Sequence, residues 1–191
     1  MVELVVSSQT ADQQSSELLA VGFFQDERPL RSEAGLIDGR MNGMISSRLE
    51  QGFMTGQVGE TTLIPGNGRI GADKILLVGL GEIASFCYGR VRDLTEHVVK
   101  TCTGLQVHDL AIAFQDPLRL GLEWAKLTEA LVEGVGLGLQ AAEPLQDIRI
   151  RLPGTFDYYD QISQGVETAR KILRNPVQVD VSRESSSLGE T

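Results

Sequence analysis

The sequence predicts an α/β protein, a three-layer α/β/α sandwich built on one mixed, mostly parallel sheet. Three observations lead there. Residues 75–78 (Ile-Leu-Leu-Val) are an unbroken apolar run within Lys-Ile-Leu-Leu-Val-Gly-Leu-Gly-Glu, the pattern of a strand covered on both faces. Gly79 and Gly81 follow at once, letting the backbone turn sharply into a helical pattern. From that run onward, strand and helix patterns alternate, which places helices on both sides of the sheet.

Taken in order, residues 3–7 and 17–24 read as short strands around a polar loop at 7–16. A helix is predicted from Ser32, as its N-cap, to about Gln51, with Ile37, Met41, Met44, Ile45 and Leu49 on one stripe. Gly35, Gly39 and Gly43 weaken it intrinsically, so packing must hold it. Residues 60–64 form the next strand. Pro65 to Gly71 is turn-rich, with a hairpin signal in Asn67-Gly68, and leads into the apolar strand, which is placed at the centre of the sheet. The helix after Gly81 carries Cys87, Val91, Leu94, Val98, Cys102 and Leu105 on one face, so both thiols point at the sheet as inert core residues. Residues 109–114 are another strand.

A long helix over residues 120–142 turns Leu120, Trp124, Leu127, Leu131, Val135 and Ala142 inward. Gly134 and Gly138 fall in that stripe, where they would let the helix approach the sheet closely. Residues 147–152 are a strand. Residues 157–174 are a helix with Ile162, Val166, Ala169 and Leu173 inward, and 177–181 form a final strand. This makes residues 1–182 a single domain, and the polar, Ser-rich residues 183–191 a disordered tail.

Composition narrows the function classes. A chain of 191 residues is long for one small domain and short for two. The net charge of -9 argues against nucleic acid as a partner, because that affinity comes from clustered Lys and Arg, and against an anionic membrane surface. Cys87 and Cys102 stand fifteen residues apart. On one helix that is roughly 22 Å, too far to bridge. No signal peptide or membrane-length apolar run is present, so the expected compartment is the cytoplasm.

Several stretches resemble a known family. Residues 38–60, with Leu49, the Gly52-Phe53-Met54-Thr55-Gly56-Gln57 run and Gly59-Glu60, resemble the N-terminal domain of the M17 leucyl aminopeptidases. Ile75-Leu76-Leu77-Val78-Gly79-Leu80-Gly81 is similar to a strand of the same domain. Glu133-Gly134 with Leu137 resembles one of its helices, and Ala169-Arg170 followed by Pro176 its inter-domain segment. The resemblance implies a macro-like sandwich. It also implies that the family's two-metal peptidase site lies in a second domain whose motifs are absent here, so no catalytic residue and no metal ligand carries over. Lys171 and Arg174 replace an Asp and an Asn of the family's linker pattern, and Glu143-Pro144 stands where an aromatic segment is usual.

Other constellations have plain readings. Gly79-Leu80-Gly81-Glu82-Ile83-Ala84 fits a dinucleotide-binding turn, but the acidic residue due at the end of the next strand is missing. Asp93 and His97 lack a third metal ligand, and His108 borders a strand without an obvious partner. Asp157 and Asp160 suit a helix N-terminus, and Asp26, Glu27 and Arg28 read as a solvated loop. No Ser sits in a G-x-S-x-G elbow.

The leading expectation is therefore a non-catalytic, stand-alone relative of this N-terminal domain, acting in assembly or protein interaction and needing no cofactor. A homodimer is the favoured partner arrangement, with a separately encoded catalytic peptidase chain as the other. The alternative is a macro-like module binding ADP-ribose or a related nucleotide. Any small ligand is expected at Gly79, Gly81 and Glu82, together with Gly66, Asn67 and Gly68.

Overall fold

A computed structural model describes residues 1–114, 117–140, 147–172 and 178–185. Among these, seven strands form one sheet: β1 (Val2–Ser7), β2 (Ser16–Phe23), β3 (Thr61–Pro65), β4 (Ala72–Gly79), β5 (Asp109–Ala113), β6 (Ile148–Leu152) and β7 (Val179–Glu184). Their order is β3-β4-β2-β5-β6-β1-β7, and every pair is parallel except β3 with β4. The mixed, mostly parallel sheet is as expected.

Strand β4 is interior, yet it is second from the edge rather than central; β5 holds the middle. Any strand with both faces covered reads as a continuous apolar run, so the pattern cannot rank interior positions. Leu76 and Val78 face one core and Ile75 and Leu77 the other.

Three helices cover the first face: α3 (Tyr88–Gly104), α4 (Trp124–Gln140) and α5 (Tyr159–Ile172). Val91, Leu94 and Val98 of α3, Leu131 and Val135 of α4, and Ile162, Val166 and Ala169 of α5 pack there on Leu18, Ala20, Leu110 and Ile150. The stripe of α5 is thus consumed by the core. Ala142, the Glu143-Pro144 pair, Leu173, Arg174 and Pro176 lie outside the described residues.

The helices pack unusually close to one another. A Cβ on Gly134 would stand 2.3 Å from the Arg92 carbonyl oxygen of α3, and one on Gly138 would stand 2.7 Å from the Val99 Cβ. These glycines serve helix-to-helix approach, not the helix-to-sheet approach expected.

Two short helices, α1 (Ser32–Arg40) and α2 (Met44–Glu50), cover the second face over β4, β2 and β5. The single helix expected over 32–51 is broken at Asn42 and Gly43, whose φ values are 57° and 74°. Asp38 then caps α2. Ser32 is not an N-cap: it has φ 50°, Arg31 holds the cap position, and the Ser32 hydroxyl accepts a hydrogen bond from Arg119.

Over β6, β1 and β7 the second face is polar. Arg149 bonds Glu3 at 2.6 Å, Arg151 bonds Asp109 at 2.8 Å, and Arg151 also reaches Glu184. The Arg149 bond holds the Glu3 carboxyl below its ordinary pKa, and the Asp109 bond raises that of Arg151. Strand β7 continues to Glu184, so Arg183 and Glu184 belong to the sheet rather than to a disordered tail; residues 186–191 are outside the described ones.

Candidate functional site

In parallel α/β sheets, ligands bind beyond the carboxyl ends of the strands. Gly79, Gly81 and Glu82 do lie there, at the end of β4. Gly66, Asn67 and Gly68 do not. They form part of the six-residue β3–β4 reversal, with positive φ at Asn67 and Gly68 (53° and 67°) in a turn closed by the Arg69 amide on the Gly66 carbonyl. Because β3 is antiparallel to β4, that turn sits at the amino end of β4, roughly 23 Å from Gly79 at strand rise. The structure therefore separates the two halves of the expected site.

The glycine turn is occupied by the chain itself. The amide of Gly79 donates to the Glu60 carbonyl, that of Leu80 to Phe23 and that of Gly81 to Gly56. A Cβ at Gly79 would fall 2.0 Å from the Gln57 carbonyl oxygen, and Gly81 has φ 78°. These glycines exist to receive the loop over residues 51–60. The helix does not follow at once, since a 3-10 turn (Ile83–Ser85) precedes α3. This is not the geometry of a dinucleotide fingerprint, which needs free amides at a helix N-terminus.

The loop itself is clamped by Glu60, whose carboxylate accepts from the Thr55 amide at 2.9 Å, the Thr55 hydroxyl at 2.8 Å and the Gly56 amide at 2.7 Å. Burial alone would raise the Glu60 pKa, but these hydrogen bonds together hold it below the ordinary value. The loop presents Phe53, 70% exposed, and Val58, 52% exposed.

Next to it, residues 26–28 are an ordered junction rather than a solvated loop. Asp26 accepts from the Ile83 amide at 3.1 Å, and Arg28 donates to the Phe24 carbonyl at 2.8 Å. Glu27 is only 5% exposed and pairs with Arg119.

A cavity of about 220 Å³ opens beyond the carboxyl ends of β5 and β6, between α3, α4 and the loop after β6. Phe86, Phe114, Trp124 and Tyr158 line it with Ile112 and Leu131, and Glu33 supplies a carboxylate. Trp124 and Tyr158 stack with centroids 5.1 Å apart, while Phe86 packs edge-on against Phe24 at 5.3 Å. The amides of Gly154 and Thr155, at its rim, donate to the carbonyls of Gln9 and Ser7. None of these residues stood out in the sequence, because each apolar one reads as ordinary core.

Cys87 is exposed just before α3, against the expectation of a core thiol; Cys102 is buried, and burial pushes its pKa up to about 12. Leu105, expected inward, is 44% exposed. Asp93 pairs with Arg92 at 2.8 Å, His108 Nδ1 lies 3.2 Å from the Asp147 carbonyl oxygen, and Asp160 lies 3.6 Å from Arg183. Among the described residues no three His, Cys, Asp or Glu side chains could hold a metal ion together, and no helix is long and apolar enough to cross a membrane.

Comparison with known proteins agrees with the architecture. A cytosol aminopeptidase from Pseudomonas aeruginosa is 31% identical over 163 residues, covering 81% of this chain and 32% of that protein. A probable cytosol aminopeptidase from a Geobacter species is 25% identical over 194 residues, covering 92% and 38%. The chain thus spans about a third of the length of the curated relatives it matches. Among solved structures, a tomato leucine aminopeptidase mutant superposes with TM-score 0.66 at 18% identity, over 92% of this chain and 39% of that one. A Trypanosoma brucei macrodomain in complex with ADP-ribose gives 0.64 at 15% identity, over 85% and 68%. At such identities these two establish the macrodomain-like fold alone. The model of the cytosol aminopeptidase family's N-terminal domain matches residues 20–143, and with that match the chain belongs to the cytosol aminopeptidase family through its N-terminal domain.

Proposed function

We propose that the chain is a non-catalytic interaction domain of its family, acting in assembly through the loop over residues 51–60, with a second copy of itself as first partner. The observation that carries this reading is the use made of the glycine turn after β4. Its amides bind the chain's own carbonyls, and what they hold in place is a solvent-facing loop bearing Phe53 and Val58. An apolar side chain on a loop pinned by Glu60, Gly79 and Gly81 loses little further entropy when it is covered, which favours association. The same surface could serve a catalytic peptidase chain, a reading that draws on this chain's likeness to cytosol aminopeptidases.

A nucleotide reading draws on the macrodomain neighbour that holds ADP-ribose. It is the weaker one, because a diphosphate needs free amides or cations, and the turn at Gly79–Gly81 has already committed its amides.

Light scattering at tens of micromolar tests the assembly reading. The expected mass is that of two chains, falling to one in the Phe53→Ser, Val58→Ser double variant with thermal unfolding unchanged. A single-chain mass for the unaltered protein rejects self-association. In that case, binding to a purified metallo-aminopeptidase catalytic domain decides between the accessory role and no assembly role. The chain alone is expected not to hydrolyse leucine-based substrates with added manganese or zinc. Turnover that copurifies with it would overturn the non-catalytic assignment.

A further inference from the structure

The cavity beyond β5 and β6 has no part in the interaction surface just proposed, and its chemistry is specific. Four aromatic side chains and an aliphatic floor enclose it, and Glu33 is the only charged residue among its described lining residues. No Lys or Arg stands among them. The backbone amides at its rim are already donating to Gln9 and Ser7, and the Thr155 hydroxyl donates to the Leu152 carbonyl at 2.7 Å. A phosphate or carboxylate entering here would meet no cation among the described lining residues and a carboxylate to repel it.

We infer that this cavity is a binding site for a small apolar ammonium compound, with its apolar body among the rings and its ammonium group toward Glu33. Aromatic faces attract cations through their quadrupole, and the attraction strengthens as water is excluded. A carboxylate completes such a site with a charge-assisted hydrogen bond. Size points the same way. The volume of about 220 Å³ corresponds to roughly seven water molecules, which suits a ligand of one ring or one branched chain. A dinucleotide requires a much larger cleft. Trp124 adds one more element: its indole Nε1 is buried and has no acceptor among the described residues, which leaves a donor beside the cavity for a carbonyl on the ligand. An amine that also carries an amide should therefore bind at least as well as a plain amine.

Trp124 is the only tryptophan of the chain, so its fluorescence reports on the cavity directly. The experiment titrates the full chain with 2-phenylethylamine and leucinamide, and with 3-phenylpropionate and ADP-ribose as anionic counterparts, following emission and heat. Saturable changes are expected with both amines and with neither anion. Glu33→Gln should weaken amine binding about tenfold. Leu127→Phe, which narrows the cavity from a half-buried position, should abolish it while thermal unfolding stays cooperative. Equal or tighter binding of 3-phenylpropionate overturns the inference. So does the absence of any signal from both amines up to about 10 mM, which corresponds to a binding free energy weaker than roughly 3 kcal/mol. So, too, does unchanged amine affinity in Glu33→Gln.

Discussion

The Asp38 carboxylate of α1 accepts a hydrogen bond from the backbone amide of Ile45 in α2 at 2.8 Å. It also accepts one from the Ser46 amide at 3.1 Å and one from the Ser46 hydroxyl. A residue in one helix thus caps the next, across the reversal at Asn42 and Gly43. Asp38→Ala leaves these first-turn amides without their acceptor, and stability should fall by about 1–2 kcal/mol. Asp38→Asn, which keeps one acceptor oxygen, should lose less. Urea unfolding of the three proteins at neutral pH measures the order.

Gly134 and Gly138 are expected to reject side chains, Gly134 the more strongly. A Cβ at Gly134 meets a backbone oxygen at 2.3 Å, which cannot move without shifting α3. A Cβ at Gly138 has more room, meeting the Val99 Cβ at 2.7 Å and the Glu96 carbonyl oxygen at 3.0 Å, so a smaller shift of α3 relieves it. Leu at either position should cost about 1–3 kcal/mol through overpacking, despite better helix propensity. Ala should be tolerated better at Gly138 than at Gly134. Thermal unfolding that is unchanged in both Leu variants would show that the α3–α4 contact is looser than this.

Glu60 should make its loop acid-sensitive. Its folded-state pKa lies below the unfolded value of 4.5, so the contribution to stability is fully present above that pH and disappears as the pH falls through the folded pKa. Hydrogen exchange at the Thr55 and Gly56 amides should accelerate below pH 4.5 beyond the intrinsic trend. Glu60→Gln should remove the pH dependence and exchange faster already at neutral pH.

The two thiols should differ sharply toward a thiol reagent under native conditions. Cys87 is exposed, whereas Cys102 is buried with its pKa pushed up to about 12, so only the first offers an accessible sulfur. One equivalent should react quickly, and the second only on unfolding. Cys87→Ser should abolish the fast phase.

Much of the fold was legible because period and position agree. The alternation of strand and helix patterns, the inward stripe of α5 and the apolar run of β4 all describe local burial, which sequence encodes directly. Where the reading failed, the missing information was relational. The stripe over residues 37–49 continues in phase across Asn42-Gly43, so the break is visible only as a turn-prone pair inside a good helical pattern. Cys87 fits the α3 period but precedes its first turn. Asn67-Gly68 does signal a hairpin, and that hairpin itself sends the turn to the far end of β4 from Gly79. The cavity is the extreme case: Phe86, Phe114, Trp124 and Tyr158 come from four separate segments, and nothing in their spacing shows that they leave a gap between them.

The pairing of β1 has a consequence for biosynthesis. Val2 is registered against Ile148 on one side and Val179 on the other, so among the described strands β1 has no partner until residues 148–152 have been synthesised. Strands β2, β4 and β3 can meet as soon as residue 79 has left the ribosome, and only the other edge of β2 waits for β5. Meanwhile Val2, Leu4 and Val6, all destined for the interior, stay in water as a short apolar segment with open hydrogen-bonding edges. The β2–β4 half thus pairs at shorter sequence separation, and placing β1 between β6 and β7 is the pairing with the largest loop-closure cost.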